Sequence, residues 1–187
     1  MFASLAFAAG LAGVAAPSPP VGAAAPRDAA LTTVSGRDHP CRVGQLVATP
    51  GVSPASAAVT NAAVIVFRNV SARACTLHGY AHVVAMAARG TPRAVARDER
   101  DGYLGGWMGF RRGVALPPPT VTLRARGGEA SEMVQVTGGI GCPVIAVLWV
   151  TIPGGREAVR VAAQMMACLR FGASVNPIVP GATGSAR

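Results

Sequence analysis

Four cysteines, Cys41, Cys75, Cys142 and Cys168, are the groups of this chain best suited to covalent or metal chemistry. Four thiols can close two disulfides in any of three pairings, or hold one metal ion between them. The metal alternative lacks a Cys-x-x-Cys knuckle anywhere in the sequence. Two disulfides are therefore expected. Pairing in chain order, Cys41–Cys75 and Cys142–Cys168, is favoured because each bridge would join neighbouring strands. His78, His82 and Met86 form a second candidate set, for a soft metal such as copper. On one continuous strand they would share a face, yet His78 and His82 would stand roughly 13 Å apart. A shared ion would need a bulge, or help from His39, Met165 and Met166.

A third candidate is the stretch 97–113, where Tyr103, Trp107 and Phe110 interleave with Arg97, Arg100, Arg111 and Arg112. Glycines at 102, 105, 106 and 109 make a regular strand or helix costly there, so it reads as a long loop. Stacking rings beside guanidinium groups suit a glycan, a lipid head group or a protein, with Tyr103, Trp107, Phe110, Arg111 and Arg112 as the binding residues. The competing reading folds Trp107 and Phe110 back as a cap and pairs the arginines with Asp98, Glu99 and Asp101. Catalytic residues are not assigned. The chain has no Gly-x-Ser-x-Gly elbow, no His-Glu-x-x-His and no phosphate loop. Gly138-Gly139-Ile140-Gly141 precedes a strand rather than a helix, so it cannot serve as a dinucleotide turn. Neither an enzyme nor a cofactor is expected.

The elements that must position these groups read as short β-runs: 43–49, 59–70, 77–87, 121–126, 133–137, 144–152, 159–163 and 173–179. Gly- and Pro-rich turns separate them, at 49–51, 89–92, 126–129, 138–141 and 153–155. Such punctuation argues for an antiparallel sandwich or barrel. Residues 131–136 alternate polar and apolar, as a half-buried strand does; 144–150 are apolar throughout, as in a central strand buried on both faces.

Residues 2–16 are uncharged and rich in alanine, and Pro17, Pro19 and Pro20 end the run before it could span a bilayer. Small residues at 21–25 offer a cleavage site, so 1–24 reads as a signal peptide and 25–40 as a Pro/Ala linker. A domain over 41–181 and a flexible tail over 182–187 complete the division. The mature chain is expected to carry no transmembrane anchor. All basic residues are arginine, and the net charge is +9. That charge favours anionic wall polymers or lipid head groups; export argues against nucleic acid.

The order of the motifs resembles a secreted actinobacterial family, domain of unknown function family 4232. The matching pieces are Cys41, Phe67-Arg68-Asn69, Cys75-Thr76-Leu77-His78-Gly79-Tyr80, the turn 123–130, Cys142 with 150–154, and Cys168 with Val175-Asn176-Pro177. Ala81 and Arg126 depart from the pattern, standing where the family commonly carries proline. The resemblance implies an immunoglobulin-like antiparallel β-sandwich, all-β and stapled by two disulfides, that is secreted or held in the cell envelope. It implies no activity. The two staples would leave the stretch between Cys75 and Cys142 free, and a working surface is expected there.

Overall fold

The apolar runs fold as strands: β1 (Leu46–Pro50), β2 (Thr60–Asn69), β3 (Cys75–His78), β4 (His82–Ala87), β5 (Arg93–Asp98), β6 (Phe110–Arg111), β7 (Val114–Ala115), β8 (Thr120–Leu123), β9 (Glu129–Thr137), β10 (Val144–Thr151), β11 (Ala158–Met166), β12 (Ala173–Val175) and β13 (Val179–Pro180). This computed structural model describes residues 39–55, 59–88, 93–102, 104–107, 110–111 and 114–186. The expected signal peptide and nearly all of the linker lie outside them. No helix among the described residues is long and apolar enough to cross a membrane.

One sheet runs β1-β2-β9-β12-β5-β4-β10-β11, with β13 added against β9. Its end strands β1 and β11 touch, so the sheet nearly closes on itself. β3 with β8, and β6 with β7, form separate two-stranded sheets. The protein is therefore all-β. Its pairing is not wholly antiparallel as expected: β12 runs parallel to β5, with Ala173 opposite Ala96. Parallel neighbours require a long connection, and the chain between Asp98 and Ala173 supplies it.

Inside the sheet lie Ile65, Phe67, Leu77, Val83, Val134, Leu148 and Ile178, all essentially without solvent contact. The apolar run of β10 departs from the expectation of burial on both faces. Ile145, Leu148 and Val150 point into this core, while Val144, Ala146, Val147 and Trp149 remain exposed or half-exposed on the other side. A bulge between Ile145 and Val147 sets the phase. β9 departs in the opposite sense: expected half-buried, it is covered on both faces from Ala130 to Val136. The single strand expected over 77–87 is broken at Gly79, whose φ of 83° lies in the left-handed region that glycine adopts cheaply.

The cysteines pair in chain order, each pair with Cα atoms 4.8 Å apart. Cys41–Cys75 fastens the start of the domain to β3, where the Cys41 N–H also donates to the Thr76 carbonyl. Cys142–Cys168 fastens the β9–β10 turn to the segment after β11, where the Cys168 N–H donates to the Thr137 carbonyl.

Asn69, at the end of β2, has no solvent exposure and organises the adjoining turns. Its amide nitrogen donates to the carbonyls of Arg73 and Leu123, at 2.7 and 3.2 Å. Its Oδ1 accepts from the Ser71 N–H and hydroxyl, at 3.0 and 2.8 Å. The sequon Asn69-Val70-Ser71 thus encloses a buried amide, which a glycan could not reach in the folded state. Asn69→Ala leaves these partners stranded and is expected to cost about 2–3 kcal/mol, measured by urea unfolding.

Candidate functional site: an open sheet face

The stretch read as a binding loop divides differently. Arg97 and Asp98 close β5, and the chain then crosses the outer side of β2 and β9. Leu104 packs there on Val64, Val66 and Met133, and its N–H donates to Gln135 Oε1 at 2.9 Å. Gly102 lies against the Gln135 side chain so closely that a Cβ would overlap it. Gln135 in turn donates to Asn176 Oδ1 at 2.6 Å, and Asn176 Nδ2 donates to the Glu99 carbonyl at 3.0 Å. The C-terminal segment completes the cover: the Gly184 N–H donates to Ser131 Oγ at 2.8 Å, and the Ala186 N–H donates to the Gly106 carbonyl at 3.0 Å.

Trp107 is half-buried within this cover. Its backbone N–H donates to the Arg100 carbonyl at 2.9 Å and its indole Nε1–H to the Pro117 carbonyl at 3.0 Å. It anchors the segment. Phe110 and Arg111 pair as β6 with Val114 and Ala115 of β7, forming a small hairpin. Tyr103 and Arg112 lie outside the described residues.

Among the described residues, none covers the outer side of β5, β4, β10 and β11 in this way. Cross-strand register sets Val95 beside Val84, Val84 beside Trp149, and Trp149 beside Arg160, one row spanning four strands. Met86, Val147 and Ala162 form the next row. Val95 is 56 % exposed, and Val144 and Met166 farther along are 48 % and 47 % exposed. The Arg160 guanidinium sits over the Trp149 ring, 5.5 Å from its centroid. Beside it Val144, Ala146, Ala162, Gln164 and Met166 line a shallow hollow of about 420 Å³.

One buried group stands apart from both surfaces. Glu132 points inward from β9, with no solvent exposure. Its Oε2 accepts the Ala81 N–H at 3.1 Å; Oε1 has no hydrogen-bond partner among the described residues. Burial pushes the carboxyl up to about 8, the Ala81 N–H opposing and Asp98 reinforcing the shift. Glu132 is therefore largely protonated at pH 7. Burial also raises the nearby Tyr80 phenol, with Arg100 opposing and Asp98 and Asp101 adding to the rise.

A protein-family model matches residues 41–176, from the first cysteine to the buried Asn176. The chain belongs to that family, Domain of unknown function (DUF4232). No curated protein and no solved structure matches it. Within this DUF4232 domain Ala81 has a consequence: a proline at that position would have no N–H for Glu132 to accept.

The histidines of the DUF4232 domain are not brought together. His78 lies on β3, beside Thr120 of β8 at 3.3 Å, whereas His82 and Met86 lie on β4 in the large sheet. His82 and Met86 share the outward side of β4, but four residues of extended chain separate them by about 13 Å. Met165 is in the core and Met166 on the surface. Among the described residues no three His, Cys, Asp or Glu side chains converge as a metal site. Trp149, Val84 and Val95 were not singled out from sequence. The signal available was the Trp and Val content of an apolar run whose bulge could not be seen.

Proposed function

We propose that this DUF4232 domain is an exported, non-catalytic binding module of the cell envelope or extracellular space, and that its working surface is the open face of β5, β4, β10 and β11. One observation carries the reading: the outer side of β2 and β9 is covered by Leu104 and its neighbours and by the C-terminal segment, while no described residue covers the apolar Val95–Val84–Trp149 row, which is exposed or half-exposed. Two disulfides and an alanine-rich leader with a small-residue cleavage site support export after loss of residues 1–24. The family resemblance supports an immunoglobulin-like ancestry for the nearly closed sheet, and the arginine-only basic set supports an actinobacterial source.

The test is retention on cell-wall and membrane fractions. The double substitution Trp149→Ala/Arg160→Ala is expected to lower retention of the purified chain about tenfold while leaving its melting temperature nearly unchanged, since both side chains face outward.

A further inference from the structure

We propose that the open face docks on an anionic lipid surface, a proposal that rests on that face being the working one. Its centre is apolar: Val84, Met86, Val95, Val147 and Trp149. Its flanks carry basic groups. Arg160 lies over Trp149, Arg97 follows Val95 two residues along β5, and His82 precedes Val84 two residues along β4. Strand alternation puts Arg97 and His82 on the same side as those valines.

No outward position of these four strands carries a carboxylate. Two of the nearest acids are turned elsewhere. Asp98 has the inward parity of Ala96 and acts on Glu132, and Glu157 lies at the β1–β11 seam with Val43, Phe67 and Ile152. Glu99, exposed and two residues beyond Arg97, lines a hollow with it beside β12, so the flank at that end of β5 carries both signs.

This arrangement selects among occupants. A second copy of the chain would set Arg160 and Arg97 against their own kind. A wall polyanion would match the arginines but leave the valines, methionine and indole in water. A bilayer containing acidic phospholipids matches both parts. Acyl-chain edges meet the apolar centre, phosphates meet the basic rim, and tryptophan favours the boundary between them.

The experiment uses the chain with Trp107→Phe, so that tryptophan emission reports Trp149 alone, and vesicles of phosphatidylcholine with or without an equal part of phosphatidylglycerol. Sedimentation with the phosphatidylglycerol vesicles is expected to exceed that with phosphatidylcholine alone by about tenfold, to fall with added salt, and to shift Trp149 emission to the blue. Trp149→Ala/Arg160→Ala is expected to lower the sedimentation about tenfold.

No preference for the anionic vesicles, with retention on envelope fractions still dependent on Trp149 and Arg160, overturns the lipid assignment and leaves a protein or wall polymer on the same face. A concentration-dependent dimer, abolished by the double substitution and indifferent to vesicles, overturns it in favour of a second copy. Retention indifferent to the double substitution removes the face itself, and with it the functional reading above.

Discussion

Reduction of both disulfides is expected to remove about half or more of this domain's stability at room temperature. The closed loops span 34 residues for Cys41–Cys75 and 26 for Cys142–Cys168. The loop-entropy relation assigns them about 3.8 and 3.5 kcal/mol, together about 7 kcal/mol. A domain of this size typically has roughly 5–15 kcal/mol in total. The loss therefore consumes half or more of what holds the fold. The two bridges also act at different places, one on β3 and the start of the domain, the other between the β9–β10 turn and the end of β11. Their effects should then add, because they share no partner. Urea unfolding of the oxidised chain, of Cys41→Ser/Cys75→Ser and of Cys142→Ser/Cys168→Ser measures this. Losses of about 3–4 kcal/mol are expected for each pair; a loss below about 1 kcal/mol for both would mean the sheet holds itself without staples.

Stability is also expected to fall steadily as pH rises from about 4.5 to about 8, and Glu132 is the cause. Its folded-state pKa lies above its unfolded value. The unfolded chain thus gives up the Glu132 proton near pH 4.5, while the folded chain holds it until near pH 8. The stabilisation is complete below the lower value and lost progressively as pH approaches the upper one. In that window the folding equilibrium weakens by up to tenfold per pH unit. Tyr80, Asp98, Arg100 and Asp101 are the other ionisable groups near this end of β9, and none of them supplies Glu132 Oε1 with a hydrogen bond. Glu132→Gln keeps the shape and the acceptor for the Ala81 N–H but cannot ionise. Chemical unfolding at a series of pH values should show the slope for the wild type and its near absence in the variant. The variant should be the more stable protein at pH 8. Parallel pH profiles would show that Glu132 ionises without penalty.

How much of this could be read in the sequence depended on which interactions are local. The disulfide pairing in chain order was legible, although neither bridge joins two strands as expected: Cys41, Cys142 and Cys168 all lie outside the strands. β2 was legible within a residue or so, because its Val64-Ile65-Val66-Phe67 run carries β-branched and aromatic residues throughout. β5 was not legible. Arg93, Arg97 and Asp98 give it the composition of a surface loop, and it becomes a strand only by lying between β4 and β12. The glycines at 102, 105, 106 and 109 read in the sequence only as a bar to regular strand or helix. At Gly102 and Gly105 they permit close approach instead, because side chains there would strike Gln135 and Met133. Trp107 was a reasonable binding candidate by type, but its indole N–H is committed to Pro117.

The candidate surface was hidden for a similar reason. Seven apolar residues in a row from Val144 to Val150 suggest burial on both sides, and nothing local reveals that one side lacks a partner. Half of the face, β4 and β5, does come from the unstapled middle of the chain, where a working surface was expected. The other half, β10 and β11, lies within the second staple.

Retention of the purified chain on cell-envelope fractions, comparing the wild type with Trp149→Ala/Arg160→Ala and with Trp107→Phe, decides whether the face of β5, β4, β10 and β11 is the working surface. A tenfold or so loss for the double substitution, with Trp107→Phe retained like the wild type and all three equally folded, is the predicted result. Equal retention of the wild type and the double substitution, or a loss confined to Trp107→Phe, would contradict it and return attention to the segment that covers β9.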